Sequence, residues 1–332
     1  DTSVTGVQTC ALPILMKGTY IFYEDGKEIA RHENVITKFG KRFITNYLAG
    51  NVQFGKKDIA IGIAGESNYP AADTNSRLGF EFYRLPVTFG TFDIASDGVG
   101  GYTYAVIYKT TLPQDVSGYI SEIGLYPGTR TSINNYDSQI LSNFEENMDW
   151  TYSNGSHPSL INTTTPLVGD YFMSLEFAAG DTTNTTREIK YNRDIDLSGY
   201  SGNDTLDIAL YRVNTNSASV KVKFYSSDTD YYYGTYTLSG TGNKIISIPM
   251  SDVFTNYSGT PIASDISKIG VEVTRTSAAS SGTVYLDGLR INDEDTFDPS
   301  FGLVSRSTFS AIQKVAGRKM DIEYKLDLGF TV

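Results

Sequence analysis

GYISEIGLYPG, residues 118–128, is an apolar run brought to a stop by a turn pair. Ile120, Ile123, Leu125 and Tyr126 suit a pleated, half-buried surface and Pro127-Gly128 ends the run, so the stretch predicts a β-strand. The character of the chain changes on either side of it. Before it the sequence reads as one compact α+β unit; after it comes a long segment rich in Ser, Thr, Asn and Tyr, then a short tail of the first kind. The expected protein is mainly β: a small α+β scaffold domain with one helix, residues 16–137 plus 296–332, interrupted by an inserted β-sandwich, residues 138–293. Residues 118–128 would then be the last scaffold strand before the insertion, hydrogen-bonded to the late segment Met320 to Leu328.

The 332 residues leave room for about two domains, each with its own core. A net charge of -11 and the lack of any block of Lys and Arg argue against a nucleic-acid binder, which needs clustered cations to displace counterions. Apolar runs fall well short of the ~20 residues of a membrane-spanning helix. The 31 Gly, 24 Tyr and 17 Phe describe a β-rich chain with polar loops. Residues 4–14, VTGVQTCALPI, resemble the conceptual translation of a short-read sequencing adapter, so residues 1–15 are read as a non-native extension and Met16 as the natural start. A signal peptide fits less well, because no Lys or Arg precedes the short run Ala11 to Met16. Setting the extension aside removes Cys10, the one cysteine, and with it disulfide, zinc-thiolate and thiol chemistry.

In order, Asp25-Gly26 between short apolar runs signals a hairpin. Residues 37–49, TKFGKRFITNYLA, carry Phe39, Phe43, Ile44, Tyr47 and Leu48 at helical spacing, with Thr37 placed to cap the start and Gly50 the end. Residues 58–64, 80–89 and 102–108 read as strands around the Gly98 to Gly101 turn, which lacks the Gly-Lys-Ser/Thr ending of a phosphate loop. The insert offers about eight short strands, at 143–150, 169–177, 195–200, 205–211, 220–225, 244–248, 268–274 and 283–291.

Asn34, Ile36 and Gly40 of the helix region, the run Ile59 to Gly62, then Leu78, Glu81 and Arg84, the run Glu122 to Tyr126, and the close Ser305 to Phe309 with Gly317 to Phe330 occur in a fixed order. That order resembles tail-fibre, collar and related virion structural proteins of tailed bacteriophages. The resemblance implies a virion part assembled in the cytoplasm of a bacterial host, a homo-oligomer, most naturally a trimer, touching other virion proteins. Arg84, Glu122 and Arg306 would hold the fold or contact subunits. In the insert, F-E-x-x-x-x-W (Phe144 to Trp150), D-L-S-x-Y (Asp196 to Tyr200) and V-Y-L-D-G-L-R-I (Val284 to Ile291) resemble jelly-roll carbohydrate-binding modules of the galactose-binding-like type. This second resemblance implies a structural calcium ion shared by a glutamate early in the sandwich, Glu145 or Glu146, and Asp287 of the last strand, since oxygen-only ligands suit that hard ion. The competing reading is that Asp287 merely hydrogen-bonds a turn.

No catalytic constellation is evident. The two histidines, His32 and His157, fall in different domains, and the carboxylates are spaced like loop and strand-edge residues, so no enzyme is expected. Sugar rings pack their C–H faces on aromatic side chains, with polar groups beside them taking the hydroxyls. The candidates for such a platform are Tyr231, Tyr232, Tyr233 and Tyr236, with Trp150 and Tyr152. In a strand Tyr231 and Tyr233 share one face and Tyr232 takes the other. The expected function is a virion protein displaying a glycan-binding sandwich for host-surface or mucus adhesion, multiplied by copy number. Its rivals are a purely structural part whose sandwich contacts a neighbouring virion protein, and a bacterial surface carbohydrate-binding protein.

Overall fold

A computed structural model of the chain describes residues 15–50, 57–64, 70–96, 102–127, 138–162, 166–177, 184–275, 282–292 and 302–329. Residues 1–14 of the supposed extension, and the Gly98 to Gly101 turn, lie outside them.

The first part of the chain forms β1 (Leu15–Glu24), β2 (Lys27–Glu33), β3 (Val35–Ile36), α1 (Lys38–Leu48), β4 (Asp58–Ile63), β5 (Phe80–Pro86), β6 (Phe89–Ser96), β7 (Tyr102–Leu112) and β8 (Gly118–Tyr126). The hairpin turn is made as Asp-Gly predicts, with φ positive at both Asp25 and Gly26. α1 is capped by the Thr37 hydroxyl, which accepts the Gly40 N–H at 2.9 Å. Residues 80–89 are two strands rather than one: the chain leaves one sheet at Pro86, which has no N–H to donate, and enters another at Phe89.

The middle part forms β9 (Ser138–Ser142), β10 (Trp150–Tyr152), β11 (Ser159–Ile161), β12 (Phe172–Phe177), β13 (Thr186–Ile195), β14 (Thr205–Arg212), β15 (Ser217–Tyr225), β16 (Tyr231–Thr237), β17 (Gly242–Pro249), α2 (Met250–Thr255), β18 (Tyr257–Ser258), β19 (Ile266–Arg275) and β20 (Gly282–Asn292); β21 (Ser305–Lys314) and β22 (Met320–Gly329) close the chain. α2 makes two helices where the sequence suggested one. It buries only Met250 and Val253, too short an apolar pattern to register as helical periodicity.

Among the described residues the strands form four antiparallel sheets. β2-β1-β22-β7-β6 and β3-β21-β8-β4-β5 enclose a core that includes Tyr20, Phe22, Ile59, Ile61, Ile123, Leu125 and Tyr324. β10-β13-β19-β15-β16-β18 and β11-β12-β20-β14-β17, with β9 also on β20, form a sandwich over Trp150, Leu175, Ile208, Val222, Phe224, Val271 and Leu286. β8 lies at the centre of its sheet, between β21 and β4. Its late partner is therefore Ser305–Lys314 and not Met320 to Leu328, which pairs instead with β1 and β7. Both late segments alternate well; the buried Arg306 selects β21, because it reaches Glu122 across the ladder.

Glu122 is fully buried. It accepts Gly79 N and Phe80 N at 2.9 Å each, and Arg306 donates to it through Nε at 3.1 Å and Nη2 at 2.5 Å. Gly62 stands opposite Glu122 in the ladder, and a Cβ there would come within 2.6 Å of its Oε1 and 2.5 Å of Phe80 O. The glycine of the Ile59 to Gly62 run is thus the space the carboxylate occupies. Arg84 does not join this pair. It forks onto Glu81 at 2.7 Å through both Nε and Nη2 and lies over the Tyr126 ring at 3.9 Å.

The sandwich docks on the scaffold through the outer face of its five-stranded sheet. Val168 bridges Gly118, Tyr119 N donates to Leu167 O at 2.9 Å, Phe80 packs against Gly288, and Arg77 reaches Asp207 at 3.0 Å. The outer face of the six-stranded sheet consequently points away from the scaffold.

Candidate functional site

On that outward face the chain places every second residue of four neighbouring strands. Glu188 and Lys190 come from β13, Gly270 and Glu272 from β19, Lys221, Lys223 and Tyr225 from β15, and Tyr231 and Tyr233 from β16; the register sets Lys190, Gly270, Lys223 and Tyr233 in one row. Their partners in sequence, Ile189, Val271, Val222 and Phe224, fill the core. This is period-2 alternation with a buried inner face.

Rings and charges interlock on this face. Tyr225 and Tyr231 have centroids 4.8 Å apart, and Tyr231 and Tyr233 6.0 Å apart. Lys223 lies 5.2 Å from the Tyr231 ring centre and Lys221 4.9 Å from that of Tyr233, while Lys190 covers Tyr225 at 4.5 Å. Lys223 also pairs with Glu272 at 2.8 Å and Glu188 at 3.3 Å. Burial would lower the Lys223 pKa, but its bonds and charge interactions with Glu272 and Glu188 outweigh that and raise it. Burial, then the 2.5 Å bond from its hydroxyl to Glu188 and that residue's charge, push the Tyr225 phenol far up. A Cβ on Gly270 would sit 2.5 Å from Glu188 Oε1 and 2.9 Å from Tyr225 Cε2, so this glycine makes the room in which they meet. The result is a fixed network with Tyr231 and Tyr233 half-buried at its edge, each with a lysine against its ring.

The remaining aromatic candidates lie elsewhere. Tyr232 points to the core side, packs edge-on to Phe254 at 5.6 Å and donates to Pro261 O at 3.0 Å. Tyr236 shares that side, opposite Val220, so its 38% exposure is at the sandwich margin and not on the platform. Trp150 is 1% exposed against Phe144 and Tyr191 and presents no ring to a ligand. Tyr152 packs on the same core and donates to Ser174 O at 3.3 Å.

The carboxylates proposed for calcium hold a joint. Asp287 is buried, and its Oδ2 accepts Leu167 N at 2.6 Å and Val168 N at 3.1 Å, the segment that bridges to the scaffold. That is the turn-bonding role. Its Oδ1 is buried with no partner, and burial, with a further contribution from the Glu145 charge, raises the Asp287 pKa well above the usual carboxylate range. Glu145 accepts Asp170 N and Tyr171 N at 3.0 and 3.2 Å, and burial raises its pKa too. Glu146 is exposed. Among the described residues no group of three or more His, Cys, Asp and Glu is placed to hold a metal. The orphaned Asp287 oxygen beside a second carboxylate fits one ligand position of a hard cation; the remaining oxygens of such a site would have to be backbone carbonyls.

No family model and no curated protein matches this chain. Solved structures similar to it include the family 11 carbohydrate-binding module from Clostridium thermocellum in complex with a β-1,3-1,4-mixed-linked tetrasaccharide: 17% identity over 47% of this chain and 95% of that one, TM-score 0.34. A second is CBM27-1 of Caldicellulosiruptor saccharolyticus in complex with mannohexaose, at 13% identity over 48% of this chain and 100% of that one, TM-score 0.35. A third is the agarase AgWH50C, at 11% identity over 49% of this chain and 26% of that one, TM-score 0.34.

Of the residues that the sequence singles out, Tyr231 and Tyr233 stand on this outward face; Tyr225, Lys221, Lys223, Glu188, Lys190 and Glu272 stand beside them and were not singled out. Part of the signal was present. Residues 220–225, VKVKFY, alternate so that two lysines and a tyrosine must leave the core together. β13 went unread because its outward positions are charged, and residues 195–200 took its place; in the structure Ile195 is its last residue and residues 196–200 follow as a turn, with Asp196 accepting Ser198 N at 2.8 Å.

Proposed function

We propose that this is a non-catalytic glycan-binding protein whose inserted sandwich takes sugar on the outward face of its six-stranded sheet. The supporting observation is the pair of half-buried tyrosines, Tyr231 and Tyr233, set beside a fixed array of lysine and glutamate donors and acceptors on the face turned away from the scaffold. Tyrosine faces pack against sugar C–H groups, while Lys221 and Lys190, both partly exposed, take hydroxyls. Binding rather than hydrolysis is favoured because both carboxylates of the face are engaged by lysines, leaving no unpaired acid and base. An array of neutral and acidic oligosaccharides probed with the full chain tests this. Retention of a defined class is expected, and an array without signal contradicts the reading.

The scaffold, by its motif order, serves as a virion structural part that displays this face in several copies for adhesion to host-surface or mucus glycans. Sedimentation at tens of micromolar should show a trimer; a monomer at that concentration argues against the virion assignment. A calcium ion at Asp287 Oδ1, with Glu145 nearby, would tie the sandwich to its joint. Metal-stripped protein is expected to melt several degrees lower than protein with millimolar calcium, and an Asp287→Asn variant to show no such difference. Identical melting of stripped and calcium-loaded wild type removes the ion from the account.

A further inference from the structure

The other outer face of the sandwich carries a second aromatic surface. Tyr285 on β20 and Tyr211 on β14 stand directly opposite each other, and the same row continues through Ser174 and Ser159 on one side and Asn243 on the other. The two rings lie 20° from parallel with centroids 6.1 Å apart, an offset pair and not a closed face-to-face sandwich. Phe172, on the same outer face, is fully buried although it lies outside the sandwich core; its ring flanks the pair, 5.6 Å from Tyr285 and 6.2 Å from Tyr211. Tyr211 and Tyr285 are half-buried, and Glu176 and Asn243 beside them are exposed. Ser174 donates its hydroxyl to Glu176 at 2.7 Å, which fixes that carboxylate next to the rings. The scaffold reaches the adjoining row, where Phe80 lies against Gly288, while both tyrosines of this row keep partial exposure.

We propose that Tyr211 and Tyr285 form a second glycan subsite, on the opposite side of the sandwich from Tyr231 and Tyr233, taking a neutral oligosaccharide laid across the strands. Two near-parallel rings on neighbouring strands present an apolar ledge about as long as two consecutive pyranoses, and hydroxyl-bonding groups flank it: Glu176 beside Tyr285 and the Asn243 amide beyond Tyr211. Among the described residues this row holds no lysine and Glu176 stands beside it, so an acidic glycan is disfavoured here. The six-stranded face, which carries Lys190, Lys221, Lys223 and Lys268, has no such bias. Two surfaces facing opposite ways would let one sandwich bridge two chains of a polysaccharide.

Calorimetric titration of the full chain with cellohexaose, laminarihexaose and mannohexaose tests this, using wild type, Tyr231→Ala/Tyr233→Ala and Tyr211→Ala/Tyr285→Ala. The expected result is that binding of at least one probe survives the first double change and is weakened at least tenfold by the second, with Tyr285→Phe close to wild type because the ring is kept. Each variant's melting curve confirms that it folds. If the first double change abolishes all binding, or the second leaves every probe's affinity and stoichiometry as in wild type, the second subsite is overturned while the proposed function stands. If the first change has no effect and the second abolishes binding, the subsite stands and the Tyr231–Tyr233 face does not. Absence of binding to all three probes by wild type overturns it.

Discussion

Glu122→Ala is expected to destabilise the scaffold by about 3–5 kcal/mol, because it strands a fully buried guanidinium rather than deleting a surface contact. Arg306 has no exposure and donates twice to Glu122, while Gly79 N and Phe80 N would lose the acceptor they share. In a chain of this size that cost lowers Tm by roughly 10 °C, readable by calorimetry. Arg306→Met should cost less, since the carboxylate keeps its two backbone donors and the methionine refills part of the volume. The order of the two variants is itself a test: after Arg306→Met the carboxylate keeps two backbone N–H donors, whereas after Glu122→Ala the guanidinium keeps the neutral Asn75 Oδ1 acceptor but loses both of its bonds to the carboxylate. A Glu122→Ala protein melting within about 2 °C of wild type, a change of under 1 kcal/mol, would show that the pair does not hold β8, β21 and the 70–80 loop together.

Tyr231→Ala/Tyr233→Ala should weaken glycan binding by roughly 30-fold, the loss of about 2 kcal/mol that removing a central aromatic contact carries. Stability should change little, because both rings stand on the outer face and the core behind them is filled by Val222 and Phe224. Tyr233→Phe keeps the ring and should keep most of the affinity. Lys221→Ala is expected to act more weakly, through release of the ring it covers at 4.9 Å and of its 3.4 Å contact with Glu272. Affinity electrophoresis in gels carrying the polysaccharide that best matches the array signal reads all of these at once. Mobility of the double variant equal to that of wild type in such gels would contradict the assignment of this face.

The fold was legible where local chemistry and the buried pattern agree. Asp25-Gly26 named its hairpin, Thr37 its helix cap, and the alternation of residues 205–211 and 283–291 their strands. It was less legible where long-range pairing decides. Nothing local in Ser305–Lys314 or Met320–Gly329 tells which of them lies beside β8; that is set by the Arg306–Glu122 pair across 184 residues of chain. The site divides the same way. A run of tyrosines is visible in sequence, but which ring is on the outward face depends on the bulge-free register of β15 on β16, and that register turns Tyr232 toward the core and Tyr236 to the exposed margin on the same side. Glu188, Lys190 and Glu272 could not be recognised because each is an ordinary charged residue until three strands bring it beside Lys223. Asp287 was singled out for a metal on resemblance, and its visible work is to hold Leu167 and Val168 in the joint.

The most direct measurement is of the tyrosine rings themselves. With ring-labelled tyrosine in the full chain, addition of the glycan that gives the strongest array signal should shift the Tyr231 and Tyr233 resonances, assigned by single Tyr→Phe variants. Tyr20 and Tyr324, buried in the scaffold core, should stay unmoved. Saturation of that glycan's binding with both Tyr231 and Tyr233 unshifted would contradict the central claim that this sheet face is where the protein meets sugar.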